Sequence, residues 1–139
     1  MGFDPLRIFI YDEGLGRFAT AKYQKAKKKN MQDVYMHLTN YAINKNHKNF
    51  VFNKSKHDMG KGHKRSLTSI YNYLEAIGID VNKIKQKIDD LIIKTLIVGQ
   101  PMIAHTYGLA QADNSANDCC FQILGFDILI NEEQEPLLL

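Results

Sequence analysis

The chain has 139 residues, 45% of them hydrophobic and 24% charged, with 9 Gly, 3 Pro and a formal charge of +3. That length holds one ordinary domain, or a piece of a larger one, and excludes a two-lobed enzyme, while the composition excludes disorder and collagen-like repeats. The longest apolar run, Leu91 to Val98, is interrupted by Lys94 and falls well short of the ~20 residues of a membrane span. Met1 to Pro5 supply neither the basic nor the apolar segment of a secretory signal, so the sequence predicts a cytosolic setting.

Leu6, Ile8 and Ile10 alternate with Arg7, Phe9 and Tyr11 before Asp12-Glu13-Gly14, which predicts an opening strand and a turn. Residues 18 to 65 are rich in Lys, Asn and His, and Asn44 to Gly62 reads as a long irregular excursion. Ser66 is placed to cap a helix carrying Leu67, Ile70, Tyr71 and Leu74 on one face, with Gly78 ending it. Asp80 is placed to cap a longer helix with Ile84, Ile88, Leu91, Ile92 and Leu96 inward and Lys83, Lys85, Lys87 and Asp90 outward. Gly99-Gln100-Pro101 should break or kink it, and Thr106 to Asn117 reads as loop. Phe121 to Ile130 then predicts a strand, Asn131 to Gln134 a turn, and Pro136 to Leu139 a returning strand.

Charge is divided along the chain. Arg17 to Arg65 holds 13 Lys or Arg against Asp33 and Asp58, whereas Ser66 to Leu139 holds 4 Lys against 10 carboxylates. The basic half would attract an acidic partner: nucleic acid, an anionic membrane surface, a phosphorylated ligand or an acidic polypeptide tail. The sign does not choose among them, and Lys25, Lys27, Lys28 and Lys29 could equally do no more than solvate a loop. The two cysteines, Cys119 and Cys120, are adjacent and lack zinc-site spacing, so buried reduced thiols are expected.

Asp127 shares a strand face with Phe121, Ile123, Gly125 and Leu129. A carboxylate among apolar neighbours costs desolvation energy unless a cation compensates it, and a metal ion or a Lys or Arg would serve. A hairpin turning near Glu133 sets Asp127 opposite Leu139 or the next residue.

Four segments read together carry a resemblance. They are Pro5-Leu6-Arg7-Ile8-Phe9 running into Glu13-Gly14-Leu15-Gly16-Arg17-Phe18-Ala19-Thr20, then His37-Leu38-Thr39-Asn40-Tyr41-Ala42-Ile43-Asn44-Lys45, then Gly62-His63-Lys64-Arg65, and finally Cys120-Phe121-Gln122-Ile123-Leu124-Gly125-Phe126-Asp127-Ile128-Leu129. In order and spacing they resemble the tubulin tyrosine ligase-like family, in its polyglutamylase branch. The resemblance implies an α/β (α+β) chain from the C-terminal lobe of an ATP-grasp catalytic domain. That lobe would have a mainly antiparallel sheet with two packed helices, occupy residues 1–139 and be truncated at both ends. The missing lobe would precede Pro5, a Glu-x-Asn completing the metal site would follow Leu139, and the isolated chain would be inactive.

The implied reaction is ATP-dependent activation of a glutamate side chain of tubulin as an acyl phosphate, attacked by the amino group of free L-glutamate. Chemistry of this kind requires magnesium on the phosphate oxygens, cations for the transferring phosphoryl group and a pocket for the amino acid. By the resemblance Thr39 and Asn40 contact ATP, Arg17, Tyr41, Ala42 and Lys64 bind glutamate, Asp127 holds Mg2+, and His37 is structural. The implied partners are the acidic C-terminal tails of tubulin, with no membrane and no nucleic acid. The implied place is the cytoplasmic microtubule cytoskeleton, with the cilium, flagellum or basal body as specialised sites. Ligation of tyrosine or glycine, and a non-catalytic module binding acidic peptide or nucleic acid, are the alternatives.

Overall fold

The computed structural model describes residues 5–53, 60–110 and 121–139. The chain separates into two compact units, Tyr11–Ile79 and a second that combines Asp80–Leu139 with Met1–Ile10. Cys119 and Cys120 lie outside the described residues.

In the first unit, β1 (Leu15–Arg17), α1 (Val34–His37), α2 (Tyr41–Asn44), β2 (Lys64–Ser66) and α3 (Leu67–Ala76) follow in order. β1 and β2 are antiparallel, with Leu15 opposite Ser66, Gly16 opposite Arg65 and Arg17 opposite Lys64. The ladder is extended at both ends, by Leu67 N–H donating to Gly14 O at 2.9 Å and Phe18 N–H donating to His63 O at 2.8 Å.

β2 runs directly into α3 because Ser66 ends the strand and caps the helix, its hydroxyl accepting from Ser69 N–H at 3.2 Å. Glu13 adds a second cap. Its carboxylate accepts from Thr68 N–H at 3.2 Å and from the Thr68 hydroxyl at 2.6 Å. Gly78, at φ +85°, ends the helix in a Schellman arrangement, with Ile79 N–H on Leu74 O and Gly78 N–H on Glu75 O, both 3.0 Å. β1 lies close against α3, since a Cβ at Gly16 would meet Ile70 Cδ1 at 2.1 Å. Among the described residues of this unit Met36 and Tyr71 are the buried apolar ones, and Thr20 and Asn44 are the buried polar ones.

The second unit holds α4 (Val81–Ala110), β3 (Ile128–Ile130) and β4 (Pro136–Leu138). Asp80 Oδ1 accepts from Lys83 N–H at 3.2 Å, the capping bond its position predicts. Val81 and Ile84 are buried at the start of α4, and Lys87 pairs with Glu135, joining the helix to the hairpin. β3 and β4 are antiparallel, Ile128 opposite Leu138 and Ile130 opposite Pro136. Their turn is closed by Asn131, whose N–H donates to Glu135 O and whose Oδ1 accepts from Glu135 N–H at 2.8 Å.

The expected mixed helix and strand architecture with antiparallel pairs is present, and so are both helix starts and the hairpin. Four expectations change. Leu6–Tyr11 is not a strand: Leu6 forms an isolated bridge, and the alternation survives only as exposure, with Phe9 75% and Tyr11 84% exposed. The strand forms instead at Leu15–Arg17, just after the expected Asp12-Glu13-Gly14 turn, where the absent Gly16 side chain admits Ile70. Gly99-Gln100-Pro101 does not end α4, which continues to Ala110, so Thr106 to Ala110 is helix and 111–117 lies outside the described residues. Finally, only Ile128–Ile130 of the predicted 121–130 strand is paired, since β4 supplies a partner for three residues. Among the described residues no helix is long and apolar enough to cross a membrane.

Candidate functional site

The β1–β2 ladder fixes the orientation of two cations. The flanking bonds at 14/67 and 18/63 make Arg17 and Lys64 a non-hydrogen-bonded antiparallel pair, whose Cα atoms stand about 4.5 Å apart with side chains on one face. The opposite face carries Gly16 under Ile70 and Arg65, whose guanidinium lies 4.8 Å from the Phe18 ring centroid while its Nε donates to Gly62 O at 2.9 Å. Arg65 thus packs on the Gly16 face, and Arg17 and Lys64, both exposed, lie on the other face of the ladder, away from α3. Like charges directly opposite one another on a sheet are mutually unfavourable, and an anion bound between them offsets that cost.

The Lys64 backbone is held from a second direction. Asn53 Nδ2 donates to Lys64 O at 2.8 Å, and the preceding His63 exchanges bonds with Val51, whose N–H donates to His63 Nδ1 at 3.0 Å and whose carbonyl accepts from His63 N–H at 3.3 Å. Phe50 stacks on His63 with centroids 5.2 Å apart and receives Tyr41 edge-on at 5.8 Å. Through this aromatic chain Tyr41 of α2 is connected to the strand that bears Lys64.

Thr39 and Asn40 lie between α1 and α2. Asn40 is the N-cap residue of α2 but its side chain makes no capping bond and is exposed; its carbonyl accepts from Ile43 and Asn44 N–H. Thr39 is half-buried, and Ala42 is exposed next to Tyr41. Behind them Asn44 is 0% exposed and uses its whole carboxamide. Oδ1 accepts from Thr20 N–H at 3.1 Å and from the Thr20 hydroxyl at 2.8 Å, while Nδ2 donates to Leu38 O at 2.7 Å and Asn40 O at 3.1 Å.

The lysine run is an ordered turn. Asn30 accepts from Lys27 N–H at 2.7 Å, donates to Lys25 O at 3.1 Å, and its carbonyl meets His37 Nε2 at 3.2 Å, leaving Lys25, Lys27, Lys28 and Lys29 exposed. His37 is therefore engaged in supporting that turn.

Of the expected site residues, Arg17, Thr39, Asn40, Tyr41, Ala42 and Lys64 all fall within the Tyr11–Ile79 unit, and Asp127 falls in the other. Asp127 directly precedes β3, and its carbonyl accepts from Leu139 N–H at 3.0 Å, the register expected of the hairpin. Its side chain is exposed, so the desolvation argument that singled it out does not hold here. Among the described residues nothing lies within 4 Å of where a Cβ at Gly125 would stand. Among the described residues no three His, Cys, Asp or Glu gather into a metal cluster, so Asp127 can offer a cation one carboxylate. That fits Mg2+, which commonly takes one or two protein carboxylates and completes its shell with phosphate and water.

Sequence reasoning overlooked Thr20, Asn44, Phe50 and Glu13. The Glu13 carboxyl is held below its ordinary range, chiefly by the Thr68 hydroxyl and then by Gly14 N–H.

The sequence model of the tubulin-tyrosine ligase family matches residues 1–139. The chain belongs to that family. It is 54% identical over 138 residues to a protein of Tetrahymena thermophila named "Probable beta-tubulin polyglutamylase", covering 99% of this chain and 12% of that protein. It is 46% identical over 136 residues to mouse "Tubulin polyglutamylase TTLL6", covering 98% of this chain and 16% of the relative. It is 39% identical over 138 residues to "Tubulin polyglutamylase TTLL7" of Xenopus tropicalis, covering 98% and 15%. The chain thus spans between 12% and 16% of the length of these family members.

Proposed function

We propose that the chain forms the amino-acid-facing part of an ATP-dependent ligase that joins free L-glutamate to glutamate side chains in the acidic tails of tubulin. The observation that carries this reading is the pairing of Arg17 with Lys64, two exposed cations from distant segments set on one face. A substrate with two carboxylates would present one to each cation, whereas glycine and tyrosine carry one. Arg17 would clamp one carboxylate bidentately and Lys64 would meet the other as a point charge. Tyr41 and Ala42 would border the amino acid, with Tyr41 braced by Phe50.

ATP, when bound, supplies the phosphoryl group that activates the acceptor carboxylate, with Mg2+ neutralising its oxygens. Thr39 would offer a hydroxyl and Asn40 an uncommitted carboxamide to the phosphates, and Asp127 one oxygen donor to the metal. The ordered lysine turn around Asn30 would attract the acidic tubulin tail to the same unit. The site of action would be the cytoplasmic microtubule cytoskeleton, cilia, flagella and basal bodies included.

The test is incorporation of labelled glutamate, glycine or tyrosine into tubulin by the intact protein with ATP and magnesium. Glutamate alone should be incorporated. Preference for glycine or tyrosine would overturn the substrate assignment. ATP-independent binding of RNA, steeply salt-dependent and without ligation of any amino acid, would favour a nucleic-acid module instead.

A further inference from the structure

Asn44 and Thr20 lie outside the residues that the proposed chemistry uses, yet they form the most completely satisfied buried polar contact among the described residues. Asn44 is 0% exposed and Thr20 8%. A buried carboxamide has two donor hydrogens and a carbonyl able to accept twice. Asn44 makes all four bonds, two to each side, at 2.7 to 3.1 Å.

The partners it joins are informative. Leu38 O and Asn40 O bracket Thr39, so the Asn44 amide fixes the backbone on both sides of the proposed phosphate contact. Thr20 is three residues beyond Arg17, and the intervening Phe18 N–H is anchored on His63 O, next to Lys64. One side chain therefore sets the distance between the segment bearing Thr39 and Asn40 and the strand pair bearing Arg17 and Lys64. A backbone bond, Ala21 N–H to Tyr35 O at 3.1 Å, also ties this segment to α1. A hydrophobic residue of similar volume would fill the same space without specifying this separation.

We propose that Asn44 and Thr20 are positioning residues that couple the nucleotide contact to the amino-acid pocket, holding the two in register across the Tyr11–Ile79 unit. The inference rests on the reading above that Thr39–Asn40 face ATP and Arg17–Lys64 face the amino acid. Neither Asn44 nor Thr20 touches a reacting atom. Their effect is geometric, and it falls on both substrates at once.

The informative variant is Thr20→Val, which keeps the shape and removes one donor to Asn44 Oδ1; Thr20→Ser keeps the hydroxyl. In the intact protein, three readouts are compared with the parent: equilibrium binding of a non-hydrolysable ATP analogue, the KM values for ATP and the amino acid, and amide hydrogen exchange at Leu38–Tyr41. Thr20→Val should weaken analogue binding and raise both KM values by about five- to tenfold, the size of one lost hydrogen bond. It should also speed exchange at Leu38–Tyr41, and Thr20→Ser should recover most of each loss.

A Thr20→Val protein with lowered melting temperature but unchanged analogue binding and KM values would show a purely structural contact and overturn the proposal. A rise in one KM without the other would overturn the coupling. If the parent ligates glycine or tyrosine, the substrate reading fails, while the two-substrate response to Thr20→Val still supports the positioning role. If the parent neither binds the analogue nor ligates any amino acid, both fall together. Asn44→Asp, which replaces the NH2 group and its two donors with one carboxylate oxygen facing two carbonyls, should be more damaging than Thr20→Val; an equal or smaller effect on analogue binding would also count against it.

Discussion

Arg17 and Lys64 stand opposite each other as a non-hydrogen-bonded pair across two strands of three residues, with their side chains on the face that α3 leaves uncovered. Two cations opposite each other favour an anion that reaches both, and a dicarboxylate would offer one carboxylate to each. Replacing either residue with Ala should raise the KM for glutamate by about 10- to 100-fold, the range for losing a charge-assisted bond, and leave the KM for ATP unchanged. Arg17→Lys should recover only part of the loss because an ammonium cannot make the two parallel bonds of a guanidinium. Steady-state kinetics with each substrate varied separately decides this; an equal rise in both constants would remove Arg17 and Lys64 from the amino-acid pocket.

Asp127 gives a different signature. Asp127→Asn keeps the size and the Leu139 backbone bond and removes the charge. Glutamate incorporation should fall by at least about a hundredfold, consistent with loss of electrostatic stabilisation at the transferring phosphoryl group. The magnesium concentration needed for half-maximal rate should rise in whatever activity remains. An unchanged magnesium dependence would assign the carboxylate to something other than the metal.

Gly62 supports Lys64 through backbone conformation. It sits at φ +90°, and a Cβ there would meet Val51 O at 2.7 Å and Asn53 Oδ1 at 2.4 Å, the residue that also holds Lys64 O. Gly62→Ala should destabilise the fold by about 2–4 kcal/mol, combining left-handed strain with overpacking. Thermal unfolding measures this, and a loss below about half a kcal/mol would place it among ordinary surface substitutions.

Glu13 makes the α3 start sensitive to acid. Its carboxyl is lowered from an ordinary value of 4.5, first by the Thr68 hydroxyl and then by Gly14 N–H. A carboxyl whose folded pKa is depressed contributes stability that is fully present above the unfolded value and disappears as the pH falls through the folded value. Glu13→Gln should therefore be less stable than the parent at pH 7, with the gap closing below pH 4.5 as the parent is protonated. Because Glu13 is exposed the effect will be modest. Parallel acid titrations of the two proteins would show it, and a constant gap across the range would assign the effect of Gln to something other than charge.

The parts of the fold that were legible are those governed by neighbours in sequence. Ser66 and Asp80 lie directly before amphipathic runs and do cap them, and Gly78 supplies the left-handed residue that ends α3. Asn131 to Gln134 lies between two apolar segments and does make the turn. β1 and β2 were not legible, because three-residue strands have too little pattern to read and their register is fixed by distant contacts, chiefly Ile70 over Gly16. Pro101 was expected to break or kink the helix, and α4 runs through it to Ala110 without ending.

At the candidate site, the resemblance supplied residue identities but not how they are held. Asn44 occurs in a stretch crowded with Lys and Asn, where a polar side chain ordinarily points to water, and nothing local marks it as the one that is fully enclosed. Asp127 illustrates the opposite error. Apolar neighbours in sequence suggested burial, yet the β3–β4 pair leaves its side chain exposed.

Since Ser66 both closes β2 and opens α3, there is no slack between that helix and the lysine two positions upstream. A rotation of α3 by even a fraction of a turn would be delivered to Lys64 as a displacement, as a rigid lever delivers force. A substitution that shifts α3 should therefore move Lys64 with it, however far from the proposed substrate pocket it lies.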